Sequence, residues 1–452
     1  VQQSTVLSES RPEQEHAMIQ PNRRSFLKQT GSGVAGASFL ASSLPAANGL
    51  GANERVTVGL IGCGGRGIRV ASIIGSQKDA TIRTVCDPDS QRAGRAKAAT
   101  KAQHAVTDLR RILDDAAIDA VVIATCDHWH APAAILACQA GKHVYVEKPC
   151  STSVHEGRLM VEAARRHKRV MQHGTQSRSK ATTQHAIQAI REDAIGNVLV
   201  AKHINSQRRA NIGHRQPSSP PGHIDYDLWV GPAEWRPYQS NFVHYHWHWF
   251  YNFGTGDIGN DGVHGIDVAR WGLGVDTHPS FVTGYGSKLY FDDDQEFPDT
   301  YQLTFEYPAD GAIGNKKLLV YEQRIWSQYR EDDEGTHTIL YGSKGMLKWT
   351  RNGLKLFANN NKPRELRDVP KDRDDAHQRN FLDAIRLGTR LTAPIEVGHL
   401  SSTLCHLGNI VARTGRAIRF DPSKEQIIDD QDANSLLRRK YRHGHWASLA
   451  GA

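Results

Sequence analysis

Apolar positions in the first third of the chain gather into short, unbroken, largely β-branched runs: Val56–Ile61, Ala80–Cys86, Ala120–Thr125 and His143–Val146. Continuous rather than alternating runs are the pattern of strands buried on both faces, as in a parallel sheet. Between them, Ile68 to about Ser76 and Ala133–Gln139 read as helices, the second stopped by Gly141. The alternation predicts a doubly wound sheet with helices on both faces. From Val198 onward the pattern changes. Strand-like runs at 198–204, 281–285, 301–307, 317–323, 337–341, 346–350 and 354–357 follow one another across short polar loops. Several consecutive strands without intervening helices predict an antiparallel sheet. Helices are expected again at 375–386 and 399–415.

The first strand runs into Gly62-Cys63-Gly64-Gly65-Arg66-Gly67, a G-x-G-x-x-G, and the second ends in Asp87, 20 residues after Gly67. Strand before, helix after and acid at the next strand end make this the fingerprint of a Rossmann dinucleotide site. Gly62 allows the tight turn, Gly64 lets backbone approach a pyrophosphate, and Gly67 permits close helix–strand packing. The helix N-terminus offers free N–H groups to the phosphates. Asp87 can accept from the ribose hydroxyls and would repel a 2′-phosphate, which favours NAD over NADP, although Arg92 follows closely. A flavin- or adenylate-binding variant of the loop is the competing reading. Polar groups at carboxyl ends of parallel strands face the ligand. The expected cofactor contacts are therefore Gly62, Cys63, Gly64, Arg66, Gly67 and Asp87, then Thr125, His128, His130, Glu147, Lys148 and Gln176.

Composition narrows the class. The chain has 452 residues, 39% of them apolar and 23% charged, with a formal charge of +8. That is ordinary globular composition, enough for two or three domains. No run of 18 or more apolar residues suggests membrane insertion, and the basic residues are too scattered for a nucleic-acid footprint. Residues 1–50 are set apart from the fold. Arg23-Arg24-Ser25-Phe26-Leu27-Lys28 followed by a Gly/Ala/Ser-rich apolar run resembles a twin-arginine export signal, so export after cytoplasmic folding is expected. The six cysteines have neither disulfide-scaffold nor zinc spacing and are expected to be free thiols.

The glycine loop, Asp87 and Ala140-Gly141-Lys142-His143-Val144-Tyr145-Val146-Glu147-Lys148-Pro149 together resemble the glucose–fructose oxidoreductase / inositol dehydrogenase (Gfo/Idh/MocA) family. The resemblance spans about residues 54 to 445. It implies an NAD-binding Rossmann domain over 54–175 and an α/β domain with a large, mostly antiparallel sheet over 176–430, followed by a tail at 431–452. Helices near 375–415 would pack back on the Rossmann domain. It also implies catalytic roles for Lys148 and for a histidine on a helix, which falls on His264. The family's aspartate would stand four residues earlier, where this chain has Asn260; Asp261 sits at i−3, and both spacings adjoin His264 on a helix. An amide orients substrate but takes no proton, so Asp261 is the alternative carboxylate. A neutral imidazole suits abstraction of a hydroxyl proton near pH 7, with Lys148 stabilising the developing alkoxide.

A long insertion between the strand ending near Gln207 and this helix carries Asp225-Tyr226-Asp227-Leu228-Trp229 and His244-Tyr245-His246-Trp247-His248-Trp249-Phe250-Tyr251. Flat aromatic faces stack on the C–H side of a pyranose, which points to a sugar or cyclic polyol, with Trp247 and Trp249 joining Lys148, Asn260 and His264 as substrate contacts. Packing of a domain interface is the competing role for the tryptophans. His244, His246 and His248 would share a face if extended and could hold zinc, but no metal is assigned. The basic run Arg438-Arg439-Lys440-Tyr441-Arg442 reads as a solvated tail or subunit contact, and the open sheet face as a surface for a homo-oligomer.

Three functions remain on these grounds. The first is an exported NAD(H)-dependent oxidoreductase of a sugar or polyol, with tightly held cofactor. The second is a redox-neutral, NAD-dependent glycoside hydrolase or lyase that oxidises the sugar transiently. The third is a non-catalytic carbohydrate-binding protein that keeps the fold.

Overall fold

The computed structural model describes residues 55–327, 334–350 and 352–449. Six parallel strands form the first sheet: β1 Val56–Ile61, β2 Ala80–Cys86, β3 His104–Val106, β4 Ala120–Ile123, β5 His143–Val146 and β6 Met171–His173. Their order is β3-β2-β1-β4-β5-β6, with the switch point between β1 and β4. β4 is buried at every position, as its unbroken Ala-Val-Val-Ile run requires.

The second sheet has ten strands: β7 Val198–Ser206, β8 Phe281–Ser287, β9 Thr300–Glu306, β10 Leu318–Arg324, β11 His337–Gly342, β12 Gly345–Thr350, β13 Gly353–Ala358, β14 Pro363–Arg364, β15 Ile418–Asp421 and β16 Gln426–Ile428. The order is β14-β13-β12-β11-β7-β10-β9-β8-β15-β16, and only β7 and β10 pair in parallel. Tyr301, Leu303 and Phe305 of β9, with Leu319 and Tyr321 of β10, turn inward by period-2 alternation and join one core with Ile258, Val263, Leu404 and Leu407. The opposite face leaves Tyr285 and Tyr341 exposed. Among the described residues no helix is long and apolar enough to cross a membrane, and all six cysteines are free.

The two sheets are joined within one compact unit. Glu425, in the β15–β16 turn, accepts from Arg158, His278 and His399 at 2.5, 2.8 and 2.8 Å, tying the Rossmann helix Val154–Arg166 to the second domain. Arg379 holds Asp79 through both carboxylate oxygens at 2.8 Å.

The basic run near the C-terminus is not solvated throughout. Pro132, in the helix Asp127–Gln139, has no N–H for the carbonyl of His128, and Arg439 Nη2 donates to that orphan acceptor at 2.8 Å. Arg439 Nε also pairs with Glu156 at 2.6 Å, and the two side chains are 13% and 1% exposed. Tyr441 donates to the same carboxylate. Removing one partner of a buried pair leaves an uncompensated charge. Arg439→Ala is therefore expected to destabilise the fold by about 3–5 kcal/mol, measured by denaturant unfolding. A loss below about 1 kcal/mol would place Glu156 in contact with water.

Candidate active site

The glycine turn is built for close approach. Gly62 lies at φ +96°, and a Cβ there would sit 2.4 Å from the Ala124 carbonyl oxygen; one at Gly67 would sit 2.0 Å from the carbonyl oxygen of Gly62. Above Gly65 nothing lies within 4 Å, and the helix Gly65–Gly75 begins with no side-chain cap. Open space over uncapped N–H groups is what a pyrophosphate needs. Asp87 accepts from the N–H groups of Cys63 and Asp89 at 2.8 and 2.9 Å, which orients its carboxylate toward the same space. Burial pushes its carboxyl up despite those bonds. The residues present fit NAD, with the pyrophosphate on the glycine turn and the adenosine ribose on Asp87.

A cavity of about 540 Å³ runs from this turn past the ends of β4 and β5 to the second domain. Gly62, Gly64, Arg66, Asp87, Thr125, His130, Glu147, Lys148, Gln176, Trp247, Asn260 and His264 line it. Arg66 crosses its floor, pairing with Glu147 at 2.7 Å and donating to Gln176 at 3.1 Å. Burial alone would raise the Glu147 carboxyl, but Arg66 and Lys148 outweigh it and hold it low. His130 is locked between the carbonyls of Pro149 and Thr125 at 2.6 and 3.2 Å, so it shapes the wall.

Several expected contacts lie elsewhere. The Cys63 side chain is buried against the Cys86 carbonyl, and Gly67 acts through packing on Gly62. His128 is off the cavity wall: its ring nitrogens meet the carbonyls of Phe253 and Trp229 at 3.3 and 3.0 Å, pinning the insertion to the Rossmann domain. Trp249 is 2% exposed in an aromatic core with Phe242, Phe250 and Phe253, so packing wins over sugar stacking there. Residues 246–249 form a 3₁₀ turn, which disperses the three histidines. His244 pairs with Asp89 at 2.9 Å, whereas His248 meets the Tyr245 carbonyl.

Lys148, Asn260 and His264 line one end of the cavity, where the two domains meet. A π-helical turn, Ile258–Gly262, leads into the helix Val263–Leu273 and carries Asn260 and Asp261. Lys148 Nζ donates to the backbone carbonyl of Asn260 and, at 3.2 Å, to its Oδ1. Asn260 in turn donates to the fully buried Asp257 at 3.2 Å. Asp261 turns away from the cavity: it pairs with Arg209 and accepts from Gln207 at 2.6 Å. Arg209 also holds Asp257 at 2.9 Å. Burial raises the Asp257 carboxyl; at Asp261 the Arg209 charge overcomes burial and lowers it. The buried Nδ1 of His264 has no partner, so Nε2 is the nitrogen left for the cavity. Burial, then the charge of Lys148, pushes this imidazole down to about 4, leaving it neutral at pH 7.

Sequence reasoning missed four groups at or behind the wall. Asp127 lines the cavity and accepts from Thr255 at 2.7 Å, and burial pushes its carboxyl up to about 7. Asp257 and Arg209 stand behind Asn260, and Trp446 comes from the C-terminal segment. Only Asp127 carried a local signal, at a parallel-strand end.

A Rossmann sheet, an open glycine cradle and a cavity that also reaches Lys148 and His264 at the boundary with an antiparallel sheet define a two-domain protein built to hold a dinucleotide. The family model described as "Oxidoreductase family, NAD-binding Rossmann fold" matches residues 56–175, and "Oxidoreductase family, C-terminal alpha/beta domain" matches 208–448. The chain belongs to the Gfo/Idh/MocA oxidoreductase family. Inositol 2-dehydrogenase 2 of Saccharopolyspora erythraea is 28% identical over 221 residues, 48% of this chain and 54% of that protein. Levoglucosan dehydrogenase of Pseudarthrobacter phenanthrenivorans is 30% identical over 172 residues, 38% of this chain and 37% of its own length. A glycosyl hydrolase family 109 protein of Shewanella sp. (strain ANA-3) is 37% identical over 123 residues, 25% of this chain and 26% of that protein. The chain thus spans about half of the first relative and less of the others. In fold, it resembles the WlbA dehydrogenase of Chromobacterium violaceum, solved with NADH and UDP-GlcNAcA (TM-score 0.64, 20% identity, 81% of this chain and 96% of that one). It also resembles a levoglucosan dehydrogenase solved with NADH and L-sorbose (TM-score 0.63, 18% identity, 82% and 100%).

Proposed function

We propose that the chain is an exported NAD(H)-dependent oxidoreductase acting on a secondary alcohol of a sugar or cyclic polyol. The observation that carries this reading is the convergence of Lys148, Asn260 and the accessible nitrogen of His264 on one cavity that also reaches the glycine turn. NAD, when bound, supplies the hydride acceptor. The neutral His264 accepts the hydroxyl proton, Lys148 stabilises negative charge developing on that oxygen, and Asn260 orients Lys148. Tyr245, 48% exposed, offers a ring to a pyranose, and Trp247, stacked on His248, lines the same cavity. The sugar and polyol dehydrogenases among the relatives support the substrate class, and Arg23-Arg24 with the run after it supports export. The exposed face of the ten-stranded sheet supports pairing with a second copy.

One observation favours a redox-neutral variant of this chemistry. The insertion is tied to the loop after β2 beside the adenosine end of the cavity: the N–H of Ser90 donates to the His223 carbonyl at 3.0 Å, that of Asp225 to the Pro88 carbonyl at 2.9 Å, and His244 pairs with Asp89. An insertion fastened beside the cofactor site favours slow exchange, and a cofactor that is not exchanged would be reused within each cycle, as a hydrolase or lyase with transient oxidation requires. Absorbance at 340 nm with a panel of sugars and cyclic polyols separates the readings. Steady growth of NADH is the expected result for net oxidation. Product release without it supports the redox-neutral cycle, and no turnover with any member of the panel counts against both.

A further inference from the structure

Resting on the NAD reading, we infer that Trp446 is the adenine platform, so the C-terminal segment is part of the cofactor site. The pyrophosphate cradle and Asp87 fix the direction of the dinucleotide: beyond Asp87 the cavity continues to Pro88 and to Thr107–Leu109, which follow β3. That is the adenosine end, opposite Lys148 and His264. Trp446 belongs to the wall there, and 38% of it is exposed. The guanidinium of Arg110 stacks over its ring at 4.7 Å from the centroid and is itself held by Asp108 at 2.6 Å. Trp129 packs at 5.8 Å between centroids, and its indole donates to the carbonyls of Leu228 and Trp229 at 3.2 Å.

The segment that delivers Trp446 is built to stay. The Arg442 N–H donates to Pro232 at 2.9 Å, its side chain pairs with Asp227 at 2.7 Å, and Ala447 is 2% exposed in the Rossmann core. Arg439 anchors the stretch on Glu156. With Arg110 over one ring face and Trp129 and His445 packed beside it, the exposed part of the Trp446 indole lines the adenosine end of the cavity, where an aromatic ring supplies stacking without reading the base edge, because every base has a π-face.

The test uses calorimetric titration of the nucleotide-free full chain with NADH and with ADP-ribose, which lacks the nicotinamide. Trp446→Ala is expected to weaken both ligands by the same factor, about tenfold, while Trp446→Phe stays within about threefold. Far-UV circular dichroism and the unfolding midpoint verify that the variants are folded. Unchanged affinity in Trp446→Ala overturns the assignment, and so does equal loss in the Ala and Phe variants. A wild type that binds ADP-ribose but not NADH overturns the cofactor reading alone. One that binds neither overturns both.

Discussion

Lys148→Ala is expected to lower kcat by about 10³-fold while the affinity for NADH stays within about threefold of wild type. The separation follows from where Nζ sits. It is held by Asn260 of the second domain and has no bond to the glycine turn. Its removal therefore costs what develops during reaction rather than what binds beforehand: a preorganised positive charge against a nascent alkoxide. Lys148→Arg is not expected to rescue, since a planar fork cannot reproduce a compact point charge held by one amide and one carbonyl. Single-turnover kinetics with saturating substrate measures the effect. Retention of a tenth or more of kcat in Lys148→Ala would remove Lys148 from the chemistry and leave the nascent alkoxide to another donor.

The same geometry explains what could be read in the sequence. Four of the six Rossmann strands were legible, β1, β2 and β5 to the residue, because their buried positions form dense apolar runs, whereas the three-residue β3 and β6 are too short to carry a pattern. The helix predicted from Ala133 begins instead at Asp127. His128, His130 and Pro132 disguise its first turns, and the carbonyl that Pro132 frees is satisfied by Arg439, more than 300 residues away. No local pattern carries a contact of that separation. The tail was misread for the same reason, since a basic run resembles solvated surface unless its buried carboxylate, Glu156, is known.

At the site, the glycine turn announced itself through spacing and Lys148 through its place at a strand end, its catalytic role being implied by the family resemblance, but the orientation of Asp261 was not legible. Its i−3 relation to His264 holds only for a regular helix, whereas Asp261 lies in a π-helical turn and pairs with Arg209. The carboxylate behind Lys148 is Asp257, one step removed through the amide of Asn260. It follows Gly254-Thr255-Gly256, which reads as a loop, so nothing in the sequence marks it as a support.

His264→Ala is expected to cost about 10²–10⁴-fold in kcat, and imidazole in the buffer is expected to restore part of it, because the deletion leaves a hole open to the cavity. The pH profile identifies the residue more sharply than the loss does. With its imidazole pushed down to about 4 by burial and by Lys148, His264 stays neutral through the physiological range. The acid limb of kcat/KM should therefore fall near pH 4 rather than near 6.5. The sign with respect to stability is opposite to that of a His gaining an ionic partner. The unfolded chain takes up this proton at about 6.5, the folded one only near 4, so lowering the pH through that window favours unfolding. Lys148 is the second cause of the depression, after burial, so the residual activity of Lys148→Ala should show its acid limb displaced upward, toward neutrality. A wild-type acid limb near pH 7 rather than near 4 would mean that another group takes the proton, and Asp127, which also faces the cavity and has its carboxyl pushed up to about 7, would be the one to test.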